Sequence, residues 1–295
     1  MRQLLAVLCL SLWCALAQAG VTKVRAYDDI IASGVLKVAM YENFPPYSFM
    51  DNGKPSGVDV DLASTLAKAL GLKVEVLWVT PGETLDDDLR NFIWKGHYLR
   101  PDILADVMIR VPYDREYAVK RNDVGELVNE QVVMFGPYQR ERWQSAYDDR
   151  RLDGLPTVGV LRYHPVGVEI ESVPSFYLSS VFNGSIAKML HHYPTAQAAF
   201  SAMQAGEVDA TMAMRGEIDW MLKQAGDQHL KAADNAYPNM GRQAWDLGMA
   251  VHESNRQLAY ALEGELEGLI EDGSVEQVFN RYGLRYELPE LYKAE

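Results

Sequence analysis

The segment YENFPPYSFMDNGKPSGVDVDLASTLAKALGLKVEV, residues 41–76, predicts a strand–loop–helix–strand unit. A short apolar strand precedes it at 35–39, and apolar residues recur at helical spacing from Asp61 to Leu70. Gly71 follows in the position of a C′ glycine, which ends a helix in the left-handed conformation. A second apolar strand follows at 74–79. The unit indicates an α/β architecture, in which helices cover a sheet.

The loop between the first strand and the helix is rich in aromatic side chains. Four of them flank the proline pair Pro45-Pro46 in the sequence: Tyr41, Phe44, Tyr47 and Phe49. Open α/β sheets place their ligands at the carboxyl ends of strands, which is where this loop begins. The loop is therefore either a ligand-binding wall or a proline-stiffened turn whose aromatic rings fold into the core.

The first 19 residues, MRQLLAVLCLSLWCALAQA, have the features of a secretory signal peptide cleaved after Ala19. An arginine precedes an apolar run, and small residues precede the cleavage site. Both cysteines of the chain, Cys9 and Cys14, lie inside this segment. The exported chain is then expected to carry no disulfide and no thiolate chemistry, and a bacterial periplasm fits best.

The chain is acidic, with a formal net charge of −13 at pH 7. Acidic surfaces repel nucleic acid, so nonspecific nucleic-acid binding is not expected. Beyond the leader, no stretch approaches the apolar length that spans a bilayer. We expect a soluble exported protein that meets a membrane only through a partner.

Strand-like and helix-like segments alternate along the rest of the chain, as in α/β proteins. The expected helices are 85–94, 186–191, 196–204, 255–272 and 274–282, with another around Ile218–Leu222. The expected further strands are 103–111, 131–135, 157–161, 208–214 and 243–251. The segment 140–151 is dense in charge and separates two βα units of similar design. This order predicts two lobes joined by a hinge.

The order of motifs resembles the family 3 extracellular solute-binding proteins of ABC importers. The matching segments are PPYSFMDNGKPSGVDVDLASTLAKALG (45–71), DREYAV (114–119), FGPY (135–138), TVGVL (157–161), AMQAGEVDATMAM (202–214) and the closing 247–284. The resemblance implies a two-lobed α/β clamshell, the type II periplasmic-binding-protein fold, whose closure buries a small solute. It also implies a monomer that docks an ABC permease. The implied lobes are 20–140 plus 246–295, and 141–245.

Residue by residue, the resemblance is uneven. Phe44 matches an aromatic ligand wall, and Arg115 matches the arginine that clamps an α-carboxylate through two hydrogen bonds. Arg115 could instead pair with a neighbouring surface acid. The acidic residues that hold an amino acid's ammonium are replaced here by Tyr41 and Met214. A desolvated ammonium without a carboxylate partner is costly, so a zwitterionic amino acid is a poor ligand.

The sequence thus predicts an anionic or aromatic solute. A Tyr163-His164 pair stands where family members present backbone amides, and arginines can stack on aromatic faces. The predicted ligand-binding residues are Tyr41, Phe44, Tyr47, Arg110, Arg115, Tyr163, His164 and Met214. Two segments, 95–104 and 116–130, are longer than in compact family members and are expected to cap the pocket or dock a partner.

No metal site, cofactor or catalytic motif is predicted. His191 and His192 are adjacent on an expected helix, where they would point about 100° apart. The acids at 86–88 could suggest a cation site, but they are expected to lie in the first turn of the helix that follows Pro81-Gly82, where they favour the helix dipole. Three functions remain open: a receptor for import, an accessory protein of a periplasmic quinoprotein dehydrogenase, and a dehydratase of cyclic acids. The last would need a general acid, for which Glu42 and Asp59 are the nearby candidates.

Overall fold

The computed structural model describes residues 24–293. The predicted signal peptide, residues 1–19, lies outside the described residues. Within 24–293, no helix combines the length and apolar character needed to cross a bilayer.

The described chain alternates strands and helices. The strands are β1 Val35–Tyr41, β2 Phe49–Asp51, β3 Lys54–Ser56, β4 Lys73–Val79, β5 Val107–Pro112, β6 Val132–Asp148, β7 Val166–Glu169, β8 Leu190–Tyr193, β9 Ala210–Met214, β10 Leu230–Ala232 and β11 Ala244–His252. The α-helices are α1 Tyr27–Ser33, α2 Val58–Ala69, α3 Leu85–Leu89, α4 Arg115–Ala118, α5 Val173–Gly184, α6 Ala196–Gln204, α7 Arg215–Ala225, α8 Arg256–Glu271 and α9 Ser274–Tyr282.

One sheet runs through the described residues in the order β4-β1-β5-β11-β6-β9-β7-β8, with β10 also paired to β6. The 17-residue strand β6 connects its two halves, because its first part pairs with β11 and its last part pairs with β9 and β10. The pairing of β11 with β6 shifts register between Leu247 and Met249, where Gly136 has a φ of 55°. The predicted α/β clamshell fold is confirmed.

The apolar core divides along the chain in the same way as the sheet. Helices α2, α8 and α9 pack on the first half of the sheet, around Leu62, Leu262 and Phe279. Helices α5, α6 and α7 supply separate clusters to the second half, including Leu178 and Phe200. Each half therefore has a hydrophobic core of its own, and we refer to the halves as the first and second lobes.

Two predicted elements of the second lobe are wrong. Residues 157–161 are not a strand, because Val158–Arg162 forms a 3₁₀ helix. Val158 and Leu161 are buried three residues apart, which suits a 3₁₀ turn, whereas a strand would point them to opposite faces. The strand of this region is β7, which begins at Val166, four residues after the last residue of the 3₁₀ helix.

The predicted helix 186–191 is also wrong. Only Ala187–Met189 is helical, as a 3₁₀ turn, and β8 then pairs in parallel with β7. Ile186 and Leu190 have helical spacing, but sheet pairing overrides that local preference. His191 and His192 therefore lie on a strand, where the ring of His192 contacts the Ser175 hydroxyl at 2.9 Å.

An ion cluster ties the C-terminal segment to β6 and to α7 of the second lobe. Glu287 accepts hydrogen bonds from Arg142 of β6 at 2.6 and 2.9 Å, and from Arg215 of α7 at 2.7 Å. Close by, Arg285 forms a 2.7 Å ion pair with Asp219, also on α7. Burial raises the pKa of Glu287, but the guanidinium groups of Arg142 and Arg215 outweigh it and lower the pKa below its ordinary value.

Replacing Glu287 by Gln is expected to lower the free energy of unfolding at pH 7 by about 1.5–3 kcal/mol, the range for hydrogen bonds to charged groups. A depressed carboxyl pKa adds stability above the unfolded pKa, and that stability is lost as pH falls through the folded pKa. The deficit should therefore shrink below about pH 4. Urea unfolding at pH 7 and pH 3.5 measures this. Glu290→Gln, whose side chain is 62% exposed, is the control and should change little; a deficit that grows toward low pH would contradict the assignment.

Candidate functional site

A cleft between the lobes is formed by three adjoining cavities that share Phe44 and Glu169. Their volumes are about 190, 360 and 460 Å³. Phe44 comes from the loop after β1 in the first lobe, and Glu169 ends β7 in the second lobe. A solute in this cleft would contact both lobes at once.

Local hydrogen bonds fix the loop that carries Phe44. The Phe44 amide donates to the Ser48 carbonyl at 2.8 Å, and the Tyr47 amide donates to the Phe44 carbonyl at 2.8 Å. Gly57, at a φ of 120°, begins α2 directly against this loop. A Cβ at Gly57 would lie 2.2 Å from the Tyr47 carbonyl oxygen, so only glycine allows the approach. Phe44 thus projects into the cleft from a rigid turn.

Two carboxylates of the second lobe line the cleft. Glu217 is the third residue of α7, and its Oε2 accepts a 3.2 Å hydrogen bond from the Met214 amide. The pKa of Glu217 is raised to about 8: burial is the largest cause, the charge of Glu169 adds to it, and the Met214 amide opposes it. Burial also raises the pKa of Glu169. The two acids line the same two cavities.

Those two cavities differ in character. The smaller has a polar end, with Asn43, Thr195 and Gln197 beside the two acids. The larger is mostly apolar and is lined by Phe44, Trp143, Ile170, Val173, Pro174, Met212, Ala213 and Met214 in addition to polar groups. Such an arrangement can hold a molecule that has a positively charged group at one end and an apolar or aromatic body at the other.

The third cavity lies beside α3 in the first lobe. Tyr41 lines it, and its hydroxyl donates to Asp88 Oδ2 at 2.8 Å. The Gly82 amide donates to the other oxygen of Asp88 at 2.8 Å. Burial raises the pKa of Asp88, and these two donors lower it. Glu42 and Glu83 add further acids to this rim.

Two of the predicted site residues, Tyr47 and Arg110, lie in the interior of the first lobe. The Tyr47 ring is fully buried, and its hydroxyl donates to Glu141 Oε2 at 2.6 Å. The guanidinium carbon of Arg110 lies 3.4 Å from the centre of that ring. Arg110 also donates to both oxygens of Asp59, at 2.6 and 3.0 Å, and to Gln139 at 3.0 Å. These groups form a buried polar network beneath the cleft.

The other predicted residues are spread more widely. Met214 lines the apolar cavity, whereas Arg115 is exposed at the first position of α4. Tyr163 is 79% exposed, and His164 contacts Asp209 through Nδ1 at 2.8 Å. The structure therefore brings Tyr41, Phe44 and Met214 to the cleft. Arg115, Tyr163 and His164 are not among the residues that line its three cavities.

Sequence reasoning missed the two acids, Glu169 and Glu217. Glu169 ends β7, a strand overlooked because the apolar run at 157–161 was taken for it. Glu217 was detectable in principle, because a glutamate at the third position of a helix that follows a buried strand often caps that helix. It then lies close to the carboxyl end of the strand, where ligands bind.

The two long segments lie outside the interlobe cleft. In segment 95–104, His97, Arg100 and Ile103 line a separate cavity of about 250 Å³ together with Trp78 of the edge strand β4. Segment 116–130 contacts α3, since Tyr117 donates a 2.6 Å hydrogen bond to Asp86.

Among residues 24–293, no group of three or more acidic, histidine or cysteine side chains is arranged to hold a metal ion.

The N-terminal end of α7 approaches the first lobe through Gly216. A Cβ at Gly216 would lie 2.3 Å from the Tyr47 hydroxyl and 3.2 Å from Glu141 Oε2. Gly216→Ala is expected to break the hydrogen bond between those groups and to lower the free energy of unfolding by about 1–3 kcal/mol, as overpacking does. Urea unfolding measures the loss. Gly264→Ala in α8, which meets open space, should instead stabilise by about 0.5–1 kcal/mol; equal effects at both positions would contradict the close contact.

Comparison with known proteins gives one family and one fold. The sequence model of the bacterial extracellular solute-binding proteins, family 3, matches residues 36–285. Cyclohexadienyl dehydratase from Pseudomonas aeruginosa is 31% identical over 93 residues, which cover 30% of this chain and 35% of the dehydratase. The chain thus matches about a third of that curated relative.

Solved structures share the fold at low sequence identity. An ancestral cationic amino acid solute-binding protein superposes with a TM-score of 0.68 at 20% identity, over 87% of this chain and 98% of that one. The ligand-binding core of GluR0 with L-glutamate gives 0.60 at 16% identity, over 84% and 98%. A Streptococcus pneumoniae amino acid ABC transporter substrate-binding protein bound to L-arginine gives 0.59 at 18% identity, over 88% and 98%.

Proposed function

Since the chain belongs to the bacterial extracellular solute-binding proteins of family 3, we propose that it captures a small cationic solute with an apolar or aromatic body. The observation that carries this proposal is the pair Glu169 and Glu217 facing Phe44 across adjoining cavities. A cation placed there would pair with these partly buried acids, and Phe44 and Trp143 would cover its body.

The charges of the cleft favour a cation over the anion expected from sequence. That expectation rested on Arg110 and Arg115. Arg110 is 6% exposed and is held by Asp59 and Gln139. Arg115 is exposed outside the three cavities. With neither guanidinium at the cleft surface, the ligand needs no carboxylate, and an amine fits better than an amino acid. Two structural neighbours, one named for cationic amino acids and one bound to arginine, also support a positively charged solute.

Three probes of similar size and different charge test the proposal: 2-phenylethylamine, L-phenylalanine and 3-phenylpropionate. We expect 2-phenylethylamine to bind most tightly and 3-phenylpropionate least tightly, because two acids line the site. Isothermal titration calorimetry at pH 8 measures the dissociation constants. L-Arginine completes the panel, since relatives bind it. Tightest binding of 3-phenylpropionate would overturn the cationic assignment and support the anionic one. Binding of none of the probes would count against an amine site.

A receptor for solute import requires a membrane permease as its partner. We propose that the loaded protein works in the periplasm and delivers its solute to an ABC permease as a monomer, as the family and its transporter neighbours support. Deleting a permease gene that neighbours the gene for this protein should then prevent growth on the captured solute. The alternative partner, a periplasmic quinoprotein dehydrogenase, remains a prediction from sequence, and its recovery with the tagged protein from periplasm would replace the import role.

One observation favours a second function, dehydration of a cyclic acid. Glu217 has a raised pKa and lines the cleft, so its carboxyl could donate a proton to a hydroxyl that leaves as water while the ring carboxylate leaves as carbon dioxide. The partial match to a dehydratase agrees with this. The sequence candidates fit less well, because Asp59 is paired to Arg110 and Glu42 accepts a hydrogen bond from Thr80. An anionic substrate would also meet two acids. Formation of phenylpyruvate from prephenate, lost in Glu217→Gln, would establish this function.

A further inference from the structure

We propose that Glu217 is the proton-releasing group of the cleft: it is protonated in the free protein and gives up its proton when a cationic solute binds beside Glu169. This inference rests on the proposed function and adds a regulation of the same site, in which solute capture depends on pH. It also makes Glu217 the residue that selects for positive charge.

The position of Glu217 brings its carboxyl into the cleft. It lies on the first turn of α7, where the Met214 amide holds Oε2 at 3.2 Å. Glu217 lines both the polar and the apolar cavity, and Glu169 lines the same two cavities from β7. A second negative charge in this half-buried space is unfavourable, since two carboxylates that share a site resist ionising together.

The charged groups that face Glu217 come from several elements. Glu169 on β7 and Glu141 on β6 raise the pKa of Glu217, and Arg110 on β5 lowers it. The charge of Glu217 in turn raises the pKa of the buried Tyr47 hydroxyl. Arg110 cannot neutralise Glu217 alone, because its hydrogen bonds go to Asp59 and Gln139. Two acids, Glu169 and Glu141, therefore act on Glu217 against one arginine that is already hydrogen-bonded to other groups.

An incoming ammonium changes this balance. The neutral carboxyl of Glu217 loses its proton to solvent, and the resulting carboxylate pairs with the ammonium, so charge and atoms balance. With a pKa raised to about 8 in the free protein, most of Glu217 should be protonated at pH 7. The apparent affinity should rise as pH increases toward 8, since the deprotonated form binds, and level off above it. From pH 6 to pH 8 the rise should approach about 50-fold.

The test is calorimetric titration of 2-phenylethylamine at pH 7 in phosphate and in HEPES buffer, whose different ionisation enthalpies report the protons released. The wild-type protein should release close to one proton per bound amine. Glu217→Gln keeps an acceptor for the Met214 amide, yet should release none and lose the pH dependence. Glu276→Gln is the matched control, because Glu276 is also the third residue of a helix but is exposed away from the cleft. It should behave as the wild type.

The outcomes separate this inference from the proposed function. Amine binding without proton release, or release that persists in Glu217→Gln, overturns the inference and leaves the proposed function standing. If no probe binds, the proposed function fails and the linkage fails with it. A ¹³C titration of glutamate carboxyls in the free protein checks the protonation separately: the resonance missing from Glu217→Gln should titrate near pH 8, and a midpoint near 4.5 overturns the inference whatever binds.

Discussion

Replacing Asp59 by Asn is expected to lower the free energy of unfolding by about 3–5 kcal/mol, the cost of leaving a buried charge without its partner. Asp59 is 1% exposed and accepts two hydrogen bonds from Arg110 and one from Tyr138 at 3.1 Å. Asparagine keeps the shape but removes the negative charge, so the Arg110 guanidinium stays buried and unpaired. Urea unfolding at pH 7 measures the loss.

Asp61→Asn is the control for that substitution. Asp61 lies on the same helix, but its side chain is 32% exposed, and it contacts Tyr282 and Arg281 near the surface. We expect a loss below about 1 kcal/mol there. The double variant Asp59→Leu/Arg110→Met should recover much of the stability, because it removes both charges together. Full stability of Asp59→Asn with loss of solute binding would instead support the ligand-binding role that the sequence predicted for Arg110.

Replacing Phe44 by Ala is expected to weaken binding of 2-phenylethylamine about 30-fold or more, the effect of losing a central aromatic contact worth 2 kcal/mol or above. Phe44 lines all three cavities of the cleft. Its ring also rests on Tyr47, with 5.1 Å between ring centres. Calorimetric titration measures the change in dissociation constant.

Phe176→Ala separates this effect from a general loss of aromatic surface. Phe176 is 64% exposed on α5 and lines none of the three cleft cavities, so binding should be unchanged. Phe44→Tyr, which keeps the ring, should retain most of the affinity. Unchanged binding in Phe44→Ala would place the solute outside the cleft.

The architecture was predictable because it depends on local, periodic signals. The apolar spacing of 58–69 and the glycine at 71 define α2, and the alternation of segments gives the α/β class. Phe44 was predictable for a related reason, since it follows a strand end in a segment with a strong family resemblance. Both inferences needed only residues close together in sequence.

The rest of the site depends on contacts between distant segments. Arg110 and Asp59 are 51 residues apart, and nothing in the local pattern shows that one neutralises the other. A free arginine near a strand end and a buried, paired one look alike in sequence. Glu169 was missed because β7 owes its strand form to parallel pairing with β8 and β9, against which local preference is weak.

The long strand β6 has a mechanical consequence. The lobes are joined by two neighbouring antiparallel strands, β6 and β11, which pair over Val132–Phe135 and again over Gln139–Arg142. Relative rotation of the lobes must then twist this two-stranded ribbon, and the hydrogen bonds between its strands oppose the twist. The irregular pairing around Gly136 and Gly248 is its most compliant point, since fewer hydrogen bonds oppose rotation there. Substitutions at that point would change the stiffness of the ribbon without touching the solute.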